Sequence, residues 1–71
     1  MTDLVNRLKE TRQSRGLTQE ALADLVGVTR QTIIAIEKAK FIPSVKLALQ
    51  IAAALQTPLA DLFWLETIRS N

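Results

Sequence analysis

The side chains able to do chemistry in this chain are almost all charged or hydroxylic. Lys and Arg stand at Arg7, Lys9, Arg12, Arg15, Arg30, Lys38, Lys40 and Lys46, against Asp3, Glu10, Glu20, Asp24 and Glu37 in the same stretch. Residues 47–71 hold only Arg69 against Asp61 and Glu66. A basic first part followed by a nearly neutral second part suits contact with a polyanion on one side of the molecule. There is no histidine and no cysteine. The usual zinc sites, imidazole bases and thiol nucleophiles are therefore excluded, and no cofactor is implied. With 71 residues, one small domain is expected, too small to wall off a reaction pocket as well as fill a core. The sequence reads as a binding protein, not an enzyme.

Those cations need elements to hold them. Hydrophobic residues make up 48% of the chain and aromatics 4%. A core of Leu, Ile, Val and Ala suits packed helices better than a small barrel. "MTDLVNRLKE" lacks the apolar run of a signal peptide, and "LALQIAAAL" is too short to span a bilayer. The chain reads as soluble and cytoplasmic. Leu4, Leu8, Thr11 or Arg12, and Arg15 recur at helical spacing, with Val5 widening the stripe, which predicts a first helix over Asp3–Arg15, capped by Thr2 or Asp3 and ended by Gly16. Thr18 caps a second helix with Leu22, Leu25 and Val26 on its inner face, stopped by Gly27. Thr29 caps a third from Arg30 to Lys38, with Ile33 and Ile36 inward. Pro43 keeps "AKFIP" out of helical geometry. Ser44 caps a fourth over Val45–Leu55, with Ala48, Ile51, Ala52 and Leu55 inward. Thr57-Pro58 opens a fifth over Pro58–Phe63, with Leu59, Leu62 and Phe63 inward. The tail "WLETIRSN" reads either as a strand or as an ordered tail. The expected fold is all-α: a compact five-helix bundle, with a helical domain over residues 1–63 and a tail over 64–71.

One segment, "QEALADLVGVTRQTIIAIEK", carries more information than the rest. Two short helices there must cross steeply over a tight turn. Ala23 is small where they approach, Gly27 tolerates positive φ, and Leu22, Val26, Val28, Ile33 and Ile36 can lock the pair. This resembles the helix-turn-helix of the phage repressor and Cro family. "LKETRQSRGLTQ" before it and "PSVKLALQIAAALQTPLADLF" after it match as well, so the likeness runs from Leu4 to Phe63. "TRQTI", "KFIPS" and "LQTPLADLF" are most similar to small stand-alone regulators of the cytolysin-operon repressor type.

The resemblance implies a transcriptional regulator that binds double-stranded DNA, with the helix from Arg30 in the major groove. Transferred position by position, it implies that Arg30 and Gln31 face base edges, each able to make two hydrogen bonds in one plane. Gln19 would bond a phosphate and brace the recognition helix. Thr29 and Thr32 would reach phosphate, and Lys38, Lys40 and Lys46 would line the backbone. Arg12 and Glu37 would form a salt bridge that ties the first helix to the recognition helix. The family commonly acts as a homodimer on near-palindromic operators, and Leu59, Phe63, Trp64, Leu65 and Ile68 are the candidate interface. Repression by promoter occlusion is the simplest mechanism. The same fold can also serve as an antitoxin or accessory interaction module. Two residues depart from the family. Ala39 stands where Gly or Asn is common and would be strained if φ is positive. Ile34 stands where Ser, Asn or Glu is usual. It cannot read donors or acceptors but can press on a thymine methyl group.

Overall fold

The computed structural model describes residues 2–67. In chain order the elements are β1 (Thr2–Asn6), α1 (Leu8–Ser14), α2 (Gln19–Val26), α3 (Arg30–Glu37), α4 (Val45–Ala54), α5 (Leu59–Leu62) and β2 (Phe63–Thr67). The five expected helices are present, but they are joined by a two-stranded antiparallel sheet made from the two ends of the chain. The fold is therefore mostly helical and not all-α.

The first correction lies in that sheet. Residues 2–6, expected in the first helix, form a strand, and α1 starts only at Leu8. The break is at Asn6. Its Oδ1 accepts from the backbone N–H of Leu8 at 3.1 Å. This side-chain bond to the backbone competes with helical bonding, as is usual for Asn. Neither Thr2 nor Asp3 caps α1, which begins after Arg7 without a side-chain cap. β1 instead pairs with β2 in the register Leu4↔Leu65, Val5↔Trp64 and Asn6↔Phe63. The expected boundary between residues 63 and 64 thus cuts through β2, and residues 64–67 share one sheet with the start of the chain. α5 is likewise shorter than expected at both ends, Pro58 being its cap residue and Phe63 already strand.

The middle of the chain follows local rules. Thr18, Thr29 and Ser44 each accept a hydrogen bond from the backbone N–H three residues on, and so cap α2, α3 and α4. Each satisfies one of the donors that a helix start leaves open. The core is built from the inward faces: Leu8, Leu22, Ile33, Ile36, Ile51, Leu55 and Leu62 are all fully buried. Leu25 is not among them. It is 62% exposed, because Leu22, Ala23 and Val26 fill the inner face of α2 and Leu25 falls beside it. Leu47 joins the buried face of α4 with the residues expected there. Among the described residues, no helix is long and apolar enough to cross a membrane.

Candidate nucleic-acid interface

α2 and α3 are joined by the turn Gly27–Thr29. Gly27 has φ +74°, the left-handed conformation that glycine adopts without a Cβ penalty. Ala23, 1% exposed, lets the two helices approach, and the N–H of Val28 donates back to its carbonyl at 3.0 Å. The expected tight turn, with glycine at its left-handed position and a small residue before it, is therefore in place.

α3 has two unlike sides. Ile33 and Ile36 are buried in the core. Arg30 and Gln31 are exposed in its first turn, and Ile34 is half-buried at the flank. Thr29 is exposed and Thr32 half-buried, and their hydroxyls share a hydrogen bond of 3.2 Å. Lys38 ends α3, Lys40 lies in the following loop and Lys46 is in the first turn of α4. All three are exposed. The base-reading candidates and the backbone candidates thus share α3 and the elements next to it.

Behind this surface sits a polar network. Arg12, on α1, donates through Nε to Glu37 Oε2 at 2.7 Å, and the two side chains are only 8% and 4% exposed. The expected salt bridge is formed, and it is buried. Arg12 also donates through Nη1 to the Leu17 carbonyl at 2.8 Å, tying the loop before α2 to the same point. Gln19 donates through Nε2 to Glu37 Oε1 at 3.0 Å, and its Oε1 accepts from Arg30 Nε at 3.4 Å. Gln19 thus braces α3 at both ends. The sequence reading gave it contact with the recognition helix but missed its bond to Glu37. Two polar residues of unlike type, far apart in the chain, leave no local pattern by which to find such a bond. Asn6, for which the sequence implies no role, donates through Nδ2 to the Ile36 carbonyl at 3.0 Å, near the end of α3.

The candidate interface residues are placed on different surfaces. Leu59 and Phe63 pack against the core, half-buried. Trp64 and Leu65 are consecutive in β2 and so point to opposite faces of the sheet. Trp64 is half-buried, with the Arg7 guanidinium 5.6 Å from its ring centre, a cation–π contact. Leu65 is 69% exposed. Ile68 lies outside the described residues. Other exposed apolar side chains are Phe41 and Ile42 in the loop after α3, and Val45 and Leu49 one turn apart on α4. Phe41 and Ile42 line a cleft of about 320 Å³ with Leu4, Asn6, Ile36 and Phe63.

Comparison with known proteins agrees with this geometry. The helix-turn-helix family model HTH_3 matches residues 8–62. An uncharacterized HTH-type transcriptional regulator of Bacillus subtilis, YgzD, is 51% identical over 61 residues, covering 86% of this chain and 92% of its own. A regulator of the same description from Methanocaldococcus jannaschii, MJ0272, is 53% identical over 58 residues, covering 82% and 88%. Among solved structures, the restriction-modification controller protein C.AhdI of Aeromonas hydrophila superimposes with a TM-score of 0.73 at 34% identity, over 78% of this chain and 83% of that one. The clp gene regulator ClgR of Corynebacterium glutamicum also reaches 0.73, at 26% identity, over 76% and 57%. On its sequence, its fold and the geometry of α2 and α3, this chain belongs to the HTH_3 family of helix-turn-helix transcriptional regulators, the phage repressor and Cro type.

Proposed function

We propose that this protein is a sequence-specific repressor that binds a near-palindromic DNA operator as a homodimer, with α3 in the major groove, and acts by occluding a promoter. The observation that carries the reading is the start of α3. A capped helix presents Arg30 and Gln31 to solvent at its first turn, while its other side is fixed in the core by Ile33 and Ile36. Arg30 then reads a guanine and Gln31 an adenine, because each fits paired acceptor or donor–acceptor edges. Gln19, Thr29 and Thr32 meet phosphates at the start of α2 and α3. Lys38, Lys40 and Lys46 add sequence-blind attraction. Ile34, half-covered at the flank of α3, has room to touch a thymine methyl.

Dimerisation is supported by the apolar surface the monomer leaves open. Leu65 is directly opposite Leu4 in the sheet, and Leu4 borders the cleft that holds Phe41 and Ile42. A second copy covering this side would bury side chains that a monomer leaves in water. The interface is thus centred on Leu65 and not on Trp64, whose ring is already engaged by Arg7.

Selection of bound sequences from random duplex DNA, at stated salt, tests the reading. It should return two symmetry-related half-sites about 10 base pairs apart, each with a guanine and an adenine in adjacent positions. Replacing thymine by uracil at each position of the selected site then tests Ile34: binding should weaken at one position per half-site in the wild type and not in Ile34→Ser. A protein that enriches no sequence is not a sequence-specific regulator.

A further inference from the structure

We infer that Glu37 is a positioning residue for base recognition: it fixes which end of the Gln19 side-chain amide faces Arg30, and thereby aims the Arg30 guanidinium. The inference rests on the base-reading role proposed for Arg30. Its starting point is a run of four side chains from the core to the surface: Arg12, Glu37, Gln19 and Arg30. Arg12 holds Glu37 by two bonds, Nε to Oε2 at 2.7 Å and Nη2 to Oε1 at 3.4 Å. That fork fixes the plane of the carboxylate. Glu37 Oε1 also accepts from Gln19 Nε2 at 3.0 Å, and Gln19 Oε1 accepts from Arg30 Nε at 3.4 Å.

The amide of a glutamine has a donor end and an acceptor end of nearly equal size. Here only one orientation is satisfied on both sides. Turned over, its oxygen would face the Glu37 carboxylate, two acceptors together. Its NH₂ would face the Arg30 N–H, two donors together. A carboxylate cannot donate and a guanidinium cannot accept, so both neighbours favour this orientation, and the shorter bond, to Glu37 at 3.0 Å, holds it more firmly than the one to Arg30 at 3.4 Å. The consequence reaches Arg30. Its Nε is the atom held, which leaves its two terminal amino groups free of that contact to meet the O6 and N7 acceptors of guanine.

The amide between the two charges matters as well. Arg12 balances the charge of Glu37, so Arg30 keeps its own charge for DNA. A neutral carbonyl at 3.4 Å holds Arg30 more loosely than a carboxylate would, since it carries no full negative charge to attract the guanidinium. Arg30 is aimed and still able to move onto a base.

The experiment is a ratio. The base pair read by Arg30 is first located as the position where Arg30→Ala loses discrimination. Wild-type, Glu37→Gln and Gln19→Met proteins are then compared on duplexes carrying guanine or 7-deazaguanine there, the second lacking the N7 acceptor. Glu37→Gln removes the acceptor that selects the amide orientation. Gln19→Met breaks the chain while leaving the Arg12–Glu37 pair intact, so the fold does not depend on it. Both should reduce the guanine preference by about threefold to tenfold, a part of the discrimination that a two-bond contact supplies. In an Arg30→Ala background neither should change it further. A purely structural Glu37 would weaken binding to both duplexes in parallel and leave the ratio where it was, and that result overturns the inference. So does an equal loss of preference with Arg30 already removed. If Arg30→Ala loses discrimination nowhere, it is the base-reading role itself that fails, and the inference falls with it.

Discussion

The helix-turn-helix and the terminal sheet are held together in opposite ways. From Thr18 to Glu37 the structure is specified locally: two hydroxyl caps, one glycine in the left-handed turn and a helical apolar stripe, all within a short run of sequence. The sheet is specified by pairing between the first and last described residues, so neither strand has a reason to form without the other. A two-stranded ribbon is marginal alone. Here it is anchored where it meets the helices, by the Arg7 N–H donating to the Leu62 carbonyl at 2.9 Å and by Asn6. Local specification is enough to shape the helix pair, whereas the sheet depends on its attachment to that pair.

The largest expected effect tests how the helix pair is fastened to α1. Arg12→Met keeps the aliphatic stem but leaves Glu37 as a buried charge without its cationic partner. Breaking a buried pair in this way costs roughly 3–5 kcal/mol. Gln19 still donates to the stranded carboxylate, which favours the lower end of that range. In a domain this small, about 3 kcal/mol lowers the melting temperature by about 12 °C or more. A loss under about 1 kcal/mol in urea denaturation would mean that the pair behaves as if exposed and that packing alone joins α1 to α3.

Asn6→Ala comes next, and it acts at the junction of the two regions. It removes the bond to the Leu8 N–H and the bond to the Ile36 carbonyl together. Loss of two partly buried hydrogen bonds should cost about 1–3 kcal/mol. The comparison also predicts where that loss falls. Amide hydrogen exchange should quicken across β1 and β2 more than across α2 and α3. Uniform quickening would make the sheet and the helices one cooperative unit.

The same contrast accounts for what could be read from the sequence. The caps at Thr18, Thr29 and Ser44, the turn at Gly27 and the inward isoleucines obey rules that act within a few residues, and the structure follows them. The Arg12–Glu37 pair was legible only through resemblance, since nothing local links the two positions. β1 was not legible. Leu4 and Leu8 satisfy a helical stripe, while Leu4 and Val5 satisfy a strand equally well, and the choice depends on Leu65 and Trp64 at the far end of the chain. Leu25 fits the apolar template of α2 yet lies outside, because Ala23 takes the inner place and periodicity does not distinguish a small residue that permits close approach from a large one that fills space.

The turns that follow α2 and α3 allow a matched exchange of residues. Gly27 caps the end of α2, and Ala39 follows the cap residue of α3, Lys38; both are in the left-handed region, at φ +74° and +57°. The residue after each closes the turn, Val28 donating to Ala23 and Lys40 to Ala35. A Cβ at Gly27 would meet nothing within 4 Å, so the cost of Gly27→Ala is purely conformational. It should be about 1 kcal/mol. Ala39→Gly is the reverse exchange and should stabilise by about 0.5–1 kcal/mol, part of the relief being lost to the greater freedom of glycine in the unfolded chain. Equal and opposite shifts in a urea titration would show that the two turns are equivalent. A destabilising Ala39→Gly would mean that the Ala39 methyl is held by the loop.

The smallest effect returns to the sheet, where sequence and pairing are in conflict. Asp3 and Glu66 are directly opposite each other, both exposed. Like charges in that position destabilise a ladder, and an opposite pair contributes roughly 0.2–1 kcal/mol. Asp3→Lys should therefore stabilise the protein by about that amount at low ionic strength, with the gain read at β1 and β2 by hydrogen exchange. Because both groups are in water, the gain should fall away as salt is raised, the screening length at 1 M being about 3 Å. A gain that persists in high salt would have to come from lysine packing along the strand and not from charge, and a loss would mean that Asp3 already serves a cation elsewhere. Either outcome would show that the sheet, the region least legible in the sequence, is also the one whose energetics depend most on what it meets.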